Sequence, residues 1–193
     1  LGEVIRLIGT LKREYDIQLI LKSPMHISSG TRQGGYNAII KTSSGSIVPA
    51  SSIKGKARDN FSKLVQGKCE SKDGKKFCTC PVCSIFGGTG YQPARIIIDD
   101  LSLVRRDDTD NVAISIRPSV AIDRYRRVAR DEALAFDEVL NNGVFHGRVQ
   151  VYFTPETIRF ENELKLSFKM IEAIGTGKSR GLGFVHVEVK DVE

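Results

Sequence analysis

The sequence contains no long hydrophobic run. None of its apolar stretches approaches the roughly 20 residues that a membrane-spanning helix needs, and its first residues are too poor in apolar side chains for a signal peptide. We therefore expect a cytoplasmic protein with no membrane partner. With 193 residues, 40% of them hydrophobic and 27% charged, the composition is that of an ordinary globular protein. This length favours a single domain over residues 1–193.

The sequence also lacks the local patterns that identify most enzymes. No carboxylate pair and no Ser/His/Asp arrangement has a persuasive spacing. The segment AIGTGKSRG resembles a Walker A loop, but Glu172 stands where that motif needs its first glycine, and the segment follows a predicted helix rather than a strand. We reject nucleotide hydrolysis on this context. His26, in a Gly/Ser-rich segment over 23–35 that we predict to be a loop, is a candidate general base.

Cysteine is scarce, and its four copies are crowded into one segment with the spacing C-x8-C-x-C-x2-C: Cys69, Cys78, Cys80 and Cys83. Thiolates are soft ligands, and four of them form a closed tetrahedral site for Zn²⁺. Two disulfides, or four buried and inert thiols, are the alternatives. We predict a structural zinc ion that stabilises an insertion over about 67–84 and takes no part in catalysis.

Positive charge exceeds negative charge, with 29 Lys and Arg against 23 Asp and Glu. The net charge of +6 favours an anionic partner, such as nucleic acid or a lipid headgroup. Two segments combine cations with features suited to phosphate binding. The first is a predicted helix with Lys54, Lys56 and Arg58. The second is a loop in which glycines permit a close backbone approach: Gly175, Gly177, Lys178, Ser179, Arg180, Gly181 and Gly183. The alternative for this loop is a helix C-cap at Gly175 with solvated cations.

The apolar pattern predicts an α+β fold. Alternation and short apolar runs indicate strands over 14–22, 95–99, 147–153 and 184–189, and a hairpin of 37–41 with 46–48. Helical periodicity indicates a helix capped by Ser51 or Ser52 and a second helix over 161–174. Residues 105–135 are strongly charged and predict an excursion from the core. This order of elements predicts a ferredoxin-like core, with helices on one face of an antiparallel sheet.

Four motifs, in order, resemble the RAMP superfamily of CRISPR proteins. Residues 47–61, IVPASSIKGKARDNF, are similar to its IPGSSLKGxxR block, and residues 24–30, PMHISSG, are similar to its G-L-H-I-G-G-G turn. CSIFGG followed by PARIIIDDLSL resembles its C-x-x-F-G and R-L-x-x-x-D-A stretch. GTGKSRGLGFV resembles its C-terminal G-x-G-S-R-G-x-G loop. The resemblance covers residues 16–189.

Within the superfamily, the chain looks most like the repeated backbone subunit of type III (Csm- and Cmr-like) effector complexes, because residues 121–149 resemble that subunit's thumb. The resemblance implies a ferredoxin-like (RRM-like) palm with a thumb-like insertion at about 105–140, and the cysteine spacing adds the predicted zinc-binding insertion at about 67–84. It implies guide RNA, target RNA, copies of the chain itself and other effector subunits as partners. The two cationic segments would hold the guide backbone without reading its sequence, and base pairing would read the target.

One departure from the family pattern concerns catalysis. Subunits of this kind that cut target RNA carry an Asp just before the second strand, and matching Ile39-Ile40-Lys41 to the family places Tyr36 there. A tyrosine cannot serve as general base or metal ligand at neutral pH. We therefore expect a scaffold subunit that binds guide RNA without cleaving the target. The alternative is an endoribonuclease acting on target or repeat RNA, for which His26 and Asp123 are the only substitute residues.

Overall fold

The computed structural model describes residues 11–65, 69, 78–88, 92–104 and 113–192, without the side chain of residue 132. These ranges hold eleven strands: β1 Leu11–Leu21, β2 Ser28–Gln33, β3 Tyr36–Ile39, β4 Lys41–Thr42, β5 Gly45–Val48, β6 Ile96–Ile98, β7 Leu101–Leu103, β8 Ile114–Asp123, β9 Val128–Leu140, β10 Val144–Phe153 and β11 Val185–Asp191. They also hold three α-helices: α1 Ala50–Leu64, α2 Pro81–Phe86 and α3 Glu161–Lys169. The fold is α+β with antiparallel sheets, as the apolar pattern predicts.

The larger sheet carries the core of the molecule. It has seven strands in the order β11-β1-β10-β7-β5-β4, and β6 also pairs with β10. Neighbouring strands run antiparallel, with Tyr15 opposite Val149 and Leu19 opposite Val187. Because side chains alternate between the two faces of a strand, β1 directs Tyr15, Ile17 and Leu19 to one face, where all three are buried.

Both long helices pack on that face. Helix α1 places Ile53, Ala57 and Phe61 in the core at the spacing of one helical stripe, and α3 adds Leu164 and Phe168. The Asn60 side chain of α1 donates a 3.0 Å hydrogen bond to the Ser167 carbonyl of α3, which ties the two helices together. Among the described helices, none is both long and apolar enough to cross a membrane.

A second sheet, with the order β2-β3-β9-β8, is dominated by the long β8–β9 hairpin. At its base, Met25 and Leu140 exchange two backbone hydrogen bonds of 2.8 and 2.9 Å. Farther along, the hairpin exposes large apolar side chains, namely Ile114, Ile116, Val120, Ile122, Tyr125, Val128, Leu134 and Phe136. An apolar surface of this extent on a two-stranded projection is typical of a binding surface.

The structure corrects several details at element ends. Helix α1 begins at Ala50, so Ser51 and Ser52 lie inside its first turn. Neither serine caps the helix. Its first N–H instead donates a 2.7 Å hydrogen bond to the Asp100 carboxylate, a partner distant in sequence. Strand β6 is not continuously buried, since Ile97 is 52% exposed. Helix α3 ends at Lys169, so Gly175 is not its C-cap.

The segment over 23–35 is not wholly a loop, as predicted from its Gly and Ser content, because β2 forms there and pairs with β3. The predicted hairpin is also smaller, being limited to β4 and β5, while β3 belongs to the second sheet. Two predicted regions are only partly covered. Most of 67–77 and all of 105–112 lie outside the described residues.

Candidate functional site

The three cations predicted on α1 point in two different directions. A helix turns about 100° per residue, so positions 54 and 58 share a side and position 56 faces away from both. Lys56 lies beside Lys178, whereas Arg58 contacts Cys83 of α2. Lys54 is on the Arg58 side, where burial and the nearby guanidinium charge lower its pKa. The three cations of this predicted cationic segment therefore lie on two different sides of α1, and their contact with RNA stays a prediction.

Lys56 and Lys178 converge on a groove of about 460 Å³ between α1 and the glycine loop, with Ser179 also in its wall. The Lys178 ammonium beside Lys56 holds the pKa of Lys56 below its ordinary value, and partial burial adds to the shift. Lys63, at the same groove, is paired with Asp59 at 2.6 Å. Among the described residues, neither Lys56 nor Lys178 forms an ion pair with a carboxylate. The Asp59 and Glu172 carboxylates also line the groove, and Asp59 attracts the Lys56 charge. The two neighbouring ammonium groups form the cationic part of this wall and are suited to a phosphate.

The glycine loop packs tightly against the loop that precedes β2. Gly175 has φ +83°, and a Cβ there would lie 2.3 Å from the His26 carbonyl oxygen. That carbonyl accepts a 3.0 Å hydrogen bond from Thr176 N–H. Gly183 is equally confined, because a Cβ would lie 2.0 Å from the Ile174 carbonyl oxygen. These two glycines hold the loop in place, and their contact with RNA stays a prediction.

Within the loop, Lys178, Ser179 and Arg180 form a short 3₁₀ turn between Gly177 and Gly181, which both have left-handed backbone conformations. Lys178 and Ser179 reach the groove. Arg180 is exposed, and its carbonyl accepts a 3.4 Å hydrogen bond from Arg117 of β8. The glycine loop thus joins α1 to the base of the β8–β9 hairpin.

Replacing Gly175 with alanine is expected to cost about 3 kcal/mol of unfolding free energy, because left-handed strain adds to displacement of the His26 carbonyl. Gly181 supplies a matched control, since it has φ +82° with nothing within 4 Å of an added Cβ. Gly181→Ala is expected to cost about 1 kcal/mol, the strain alone. Urea unfolding measures both values, and equal losses would contradict the close packing described here.

The four cysteines meet in one cluster beside α2. All four sulfur atoms lie within 4.8 Å of one another, although Cys69 comes from a different segment than the other three. Cys69 Sγ is 3.9 Å from Cys78 Sγ and 3.4 Å from Cys83 Sγ. Tetrahedral zinc with Zn–S bonds of about 2.3 Å places its sulfurs roughly 3.8 Å apart. None of the four cysteines is joined in a disulfide, and the sulfur separations are compatible with a bound metal ion.

Neighbouring polar groups hold this cluster in shape. The Gln92 side chain accepts a 3.2 Å hydrogen bond from Cys78 N–H and donates one of 2.9 Å to the Cys78 carbonyl. Cys83 N–H donates to Cys80 Sγ at 3.4 Å. Burial raises the pKa of the Cys83 thiol to about 12, so a metal ion must displace a proton to bind there. These contacts fix the peptide and sulfur positions around Cys78, Cys80 and Cys83.

The catalytic candidates are not brought together. His26 is buried, and its Nδ1 lies 2.6 Å from the Glu138 carbonyl oxygen, which fixes the ring in the base of the hairpin. Asp123 is at the hairpin tip, where its carboxylate accepts hydrogen bonds from Tyr125 and Arg126 N–H. Ten residues of extended strand, roughly 30 Å, separate the two positions. This geometry favours structural roles for both side chains.

One carboxylate near Tyr36 is not predicted by the sequence pattern. Asp137 of β9 accepts a 2.7 Å hydrogen bond from the side chain of Asn37, which follows Tyr36 in β3. The two residues are 100 positions apart and meet only because β3 and β9 pair. Arg117 lies directly opposite Asp137 on β8. No local spacing in the sequence signals this contact.

A basic groove on an α+β core, next to a projecting apolar hairpin, is the arrangement expected of a module that binds nucleic acid. A family model for the RAMP superfamily matches residues 18–186. Because this match spans most of the chain, the protein belongs to the RAMP superfamily, and is a CRISPR-associated RNA-binding module. Proteins of the superfamily bind RNA and assemble into CRISPR effector complexes. No curated protein matches the chain.

Proposed function

We propose that the protein is the guide-RNA-binding backbone subunit of a type III CRISPR interference complex, and that it multimerises along the RNA with other effector subunits at the ends. The convergence of Lys56 and Lys178 on one groove carries this proposal. The two lysines come from two separate motifs that resemble the family, and together they supply a phosphate site that is indifferent to base identity. A guide-binding subunit needs this property, since base pairing reads the target.

The palm of this subunit is ferredoxin-like. Four strands of the larger sheet stand in the order β11-β1-β10-β6, so that the first and last of the described strands are neighbours and β10 lies between β1 and β6. In sequence, α1 lies between β1 and β6, and α3 lies between β10 and β11, which is the element order of a ferredoxin-like fold. On this frame the cysteine segment and the β8–β9 hairpin are insertions into one domain. The antiparallel registers of β1 with both β10 and β11 support this assignment.

The hairpin is the thumb, and its apolar side chains contact the guide–target duplex. Tyr125, 96% exposed at the tip, and Ile122, 62% exposed beside it, support this role. Their burial between bases would offset the cost of exposing them to water in the free subunit. Asp123 holds the tip turn in shape through its two backbone hydrogen bonds.

The four cysteines hold a structural Zn²⁺. A set of four thiolates has no open position for a substrate, so the ion would fix the fold of the insertion without acting on RNA. The sulfur separations given above are the support for this assignment.

The subunit binds target RNA without cleaving it, because Tyr36 replaces the acid at the start of β3. Labelled target RNA, paired with guide and incubated with the protein and Mg²⁺, is expected to remain intact over hours. The endoribonuclease alternative predicts cleavage instead. To test this alternative, RNA cleavage is measured with three variants. Asp137→Asn removes the carboxylate beside Asn37, and Asp123→Asn and His26→Gln remove the two candidate catalytic residues predicted from the sequence. Cleavage that one of these variants abolishes would overturn the scaffold assignment.

A further inference from the structure

Arg58 lies against the cysteine cluster and away from the basic groove. Its Nη2 donates toward Cys83 Sγ at 3.9 Å, a distance within the range of a hydrogen bond to sulfur. The side chain is half-buried between α1 and α2. In the part of the chain that the structure describes, Arg58 forms no ion pair with a carboxylate.

Two cations share this side of α1, and in the described ranges neither forms an ion pair with a carboxylate. Lys54 and Arg58 are four residues apart on one side of α1, an arrangement of like charges that destabilises a helix. Both are half-buried, and burial with the Arg58 charge lowers the pKa of Lys54. Four thiolates around one divalent cation carry a net charge of −2. Such a centre would compensate the Arg58 charge, which in turn would stabilise the centre.

We propose that Arg58 is a positioning residue of the metal centre, which donates a hydrogen bond to the Cys83 sulfur and offsets the negative charge of the metal–thiolate group. This proposal rests on the structural metal site proposed above. A guanidinium suits the role because it stays charged in a half-buried position and presents several N–H donors in a fixed plane. Partners that hydrogen-bond to metal ligands in this way tune both affinity and ligand geometry.

The test uses Co²⁺ as a probe of the thiolate site in the metal-free protein. Titration followed by sulfur-to-cobalt charge-transfer absorption gives the affinity, and competition with Zn²⁺ gives the relative zinc affinity. Arg58→Gln is expected to weaken Co²⁺ binding about 10- to 100-fold and to shift the charge-transfer band. Arg58→Lys, which retains the charge but not the planar fork, is expected to fall between this variant and wild type.

Lys56→Gln is the matched control, because it removes one positive charge from the same helix without a contact to the cluster. Its Co²⁺ affinity is expected to equal that of wild type. An Arg58→Gln variant that binds Co²⁺ as tightly as wild type, or a Lys56→Gln variant weakened equally, overturns the role of Arg58. Absence of any thiolate–cobalt band in wild type would instead overturn the metal site itself, so the two failures are distinguishable.

RNA binding supplies a second readout that separates the two sides of α1. With the metal site saturated, Arg58→Gln is expected to keep the wild-type dependence of RNA affinity on salt. Circular dichroism of the saturated variant verifies its fold. A decrease in salt dependence equal to that of Lys56→Gln would place Arg58 on the RNA and contradict the proposal.

Discussion

Replacing Lys56 and Lys178 together with glutamine is expected to weaken guide-RNA binding roughly 25-fold in about 0.1 M salt. Each lysine that neutralises a phosphate releases a counterion and contributes about 0.7 to the slope of log affinity against log salt for a single strand. The loss of two contacts should therefore reduce the slope by about 1.4. The expectation follows from the convergence of both ammonium groups on one groove.

Fluorescence anisotropy with a labelled guide RNA at four or five salt concentrations measures this slope. The control is Lys12→Gln with Lys190→Gln, which changes the net charge by the same amount at residues that do not line the groove. Lys12 is already paired with Glu14. A third variant, Lys54→Gln, tests the separation of the two sides of α1 and is expected to keep the wild-type slope. An equal decrease of the salt slope in all three variants would show a diffuse charge effect and would contradict the groove as the RNA-binding site.

Removal of the metal is expected to lower Tm by roughly 8–16 °C. A ligand present at about 1,000 times its Kd stabilises the native state by about 4 kcal/mol, and each kcal/mol is worth about 2–4 °C in a chain of this size. The effect arises because Cys69 joins α2 to a segment beyond α1 through sulfur contacts. Differential scanning calorimetry with and without a strong chelator measures it.

Cys80→Ser provides the control for the metal. Cys80 is half-exposed, whereas Cys83 is buried in the core. Replacing Cys80 therefore disturbs the packing less than replacing Cys83 would. The variant is expected to have the lowered Tm already, and chelator should not lower it further. A wild-type Tm that is unaffected by chelator, together with no metal in the purified protein, would contradict a structural ion.

The core was predictable from local patterns because its signals are local. Burial of Tyr15, Ile17 and Leu19 follows from alternation within one strand, and burial of Ile53, Ala57 and Phe61 follows from one helical stripe. The cysteine cluster was predictable for a similar reason, since three ligands fall within six residues and Gln92 only adjusts their setting.

The remaining features depend on pairings that sequence spacing does not reveal. Strand β2 forms in a segment rich in Gly and Ser because β3 provides a partner for it. Asp100 caps α1 from a distant loop, and Asp137 reaches Asn37 across a strand pairing. Helix geometry alone puts Lys56 and Arg58 on different sides of α1, but the residues that each of them contacts are set by the tertiary fold. On the two sides of α1 these neighbours are Lys178 and Cys83.

The most direct test of the backbone-subunit assignment is the number of protein copies bound to RNA strands of increasing length, counted by native mass spectrometry. A subunit that multimerises along a guide predicts that the copy number rises in integer steps, with a constant increment of nucleotides per copy. The Lys56→Gln, Lys178→Gln double variant should reach the same steps only at higher protein concentration. One copy per strand at every RNA length would contradict multimerisation along the guide RNA.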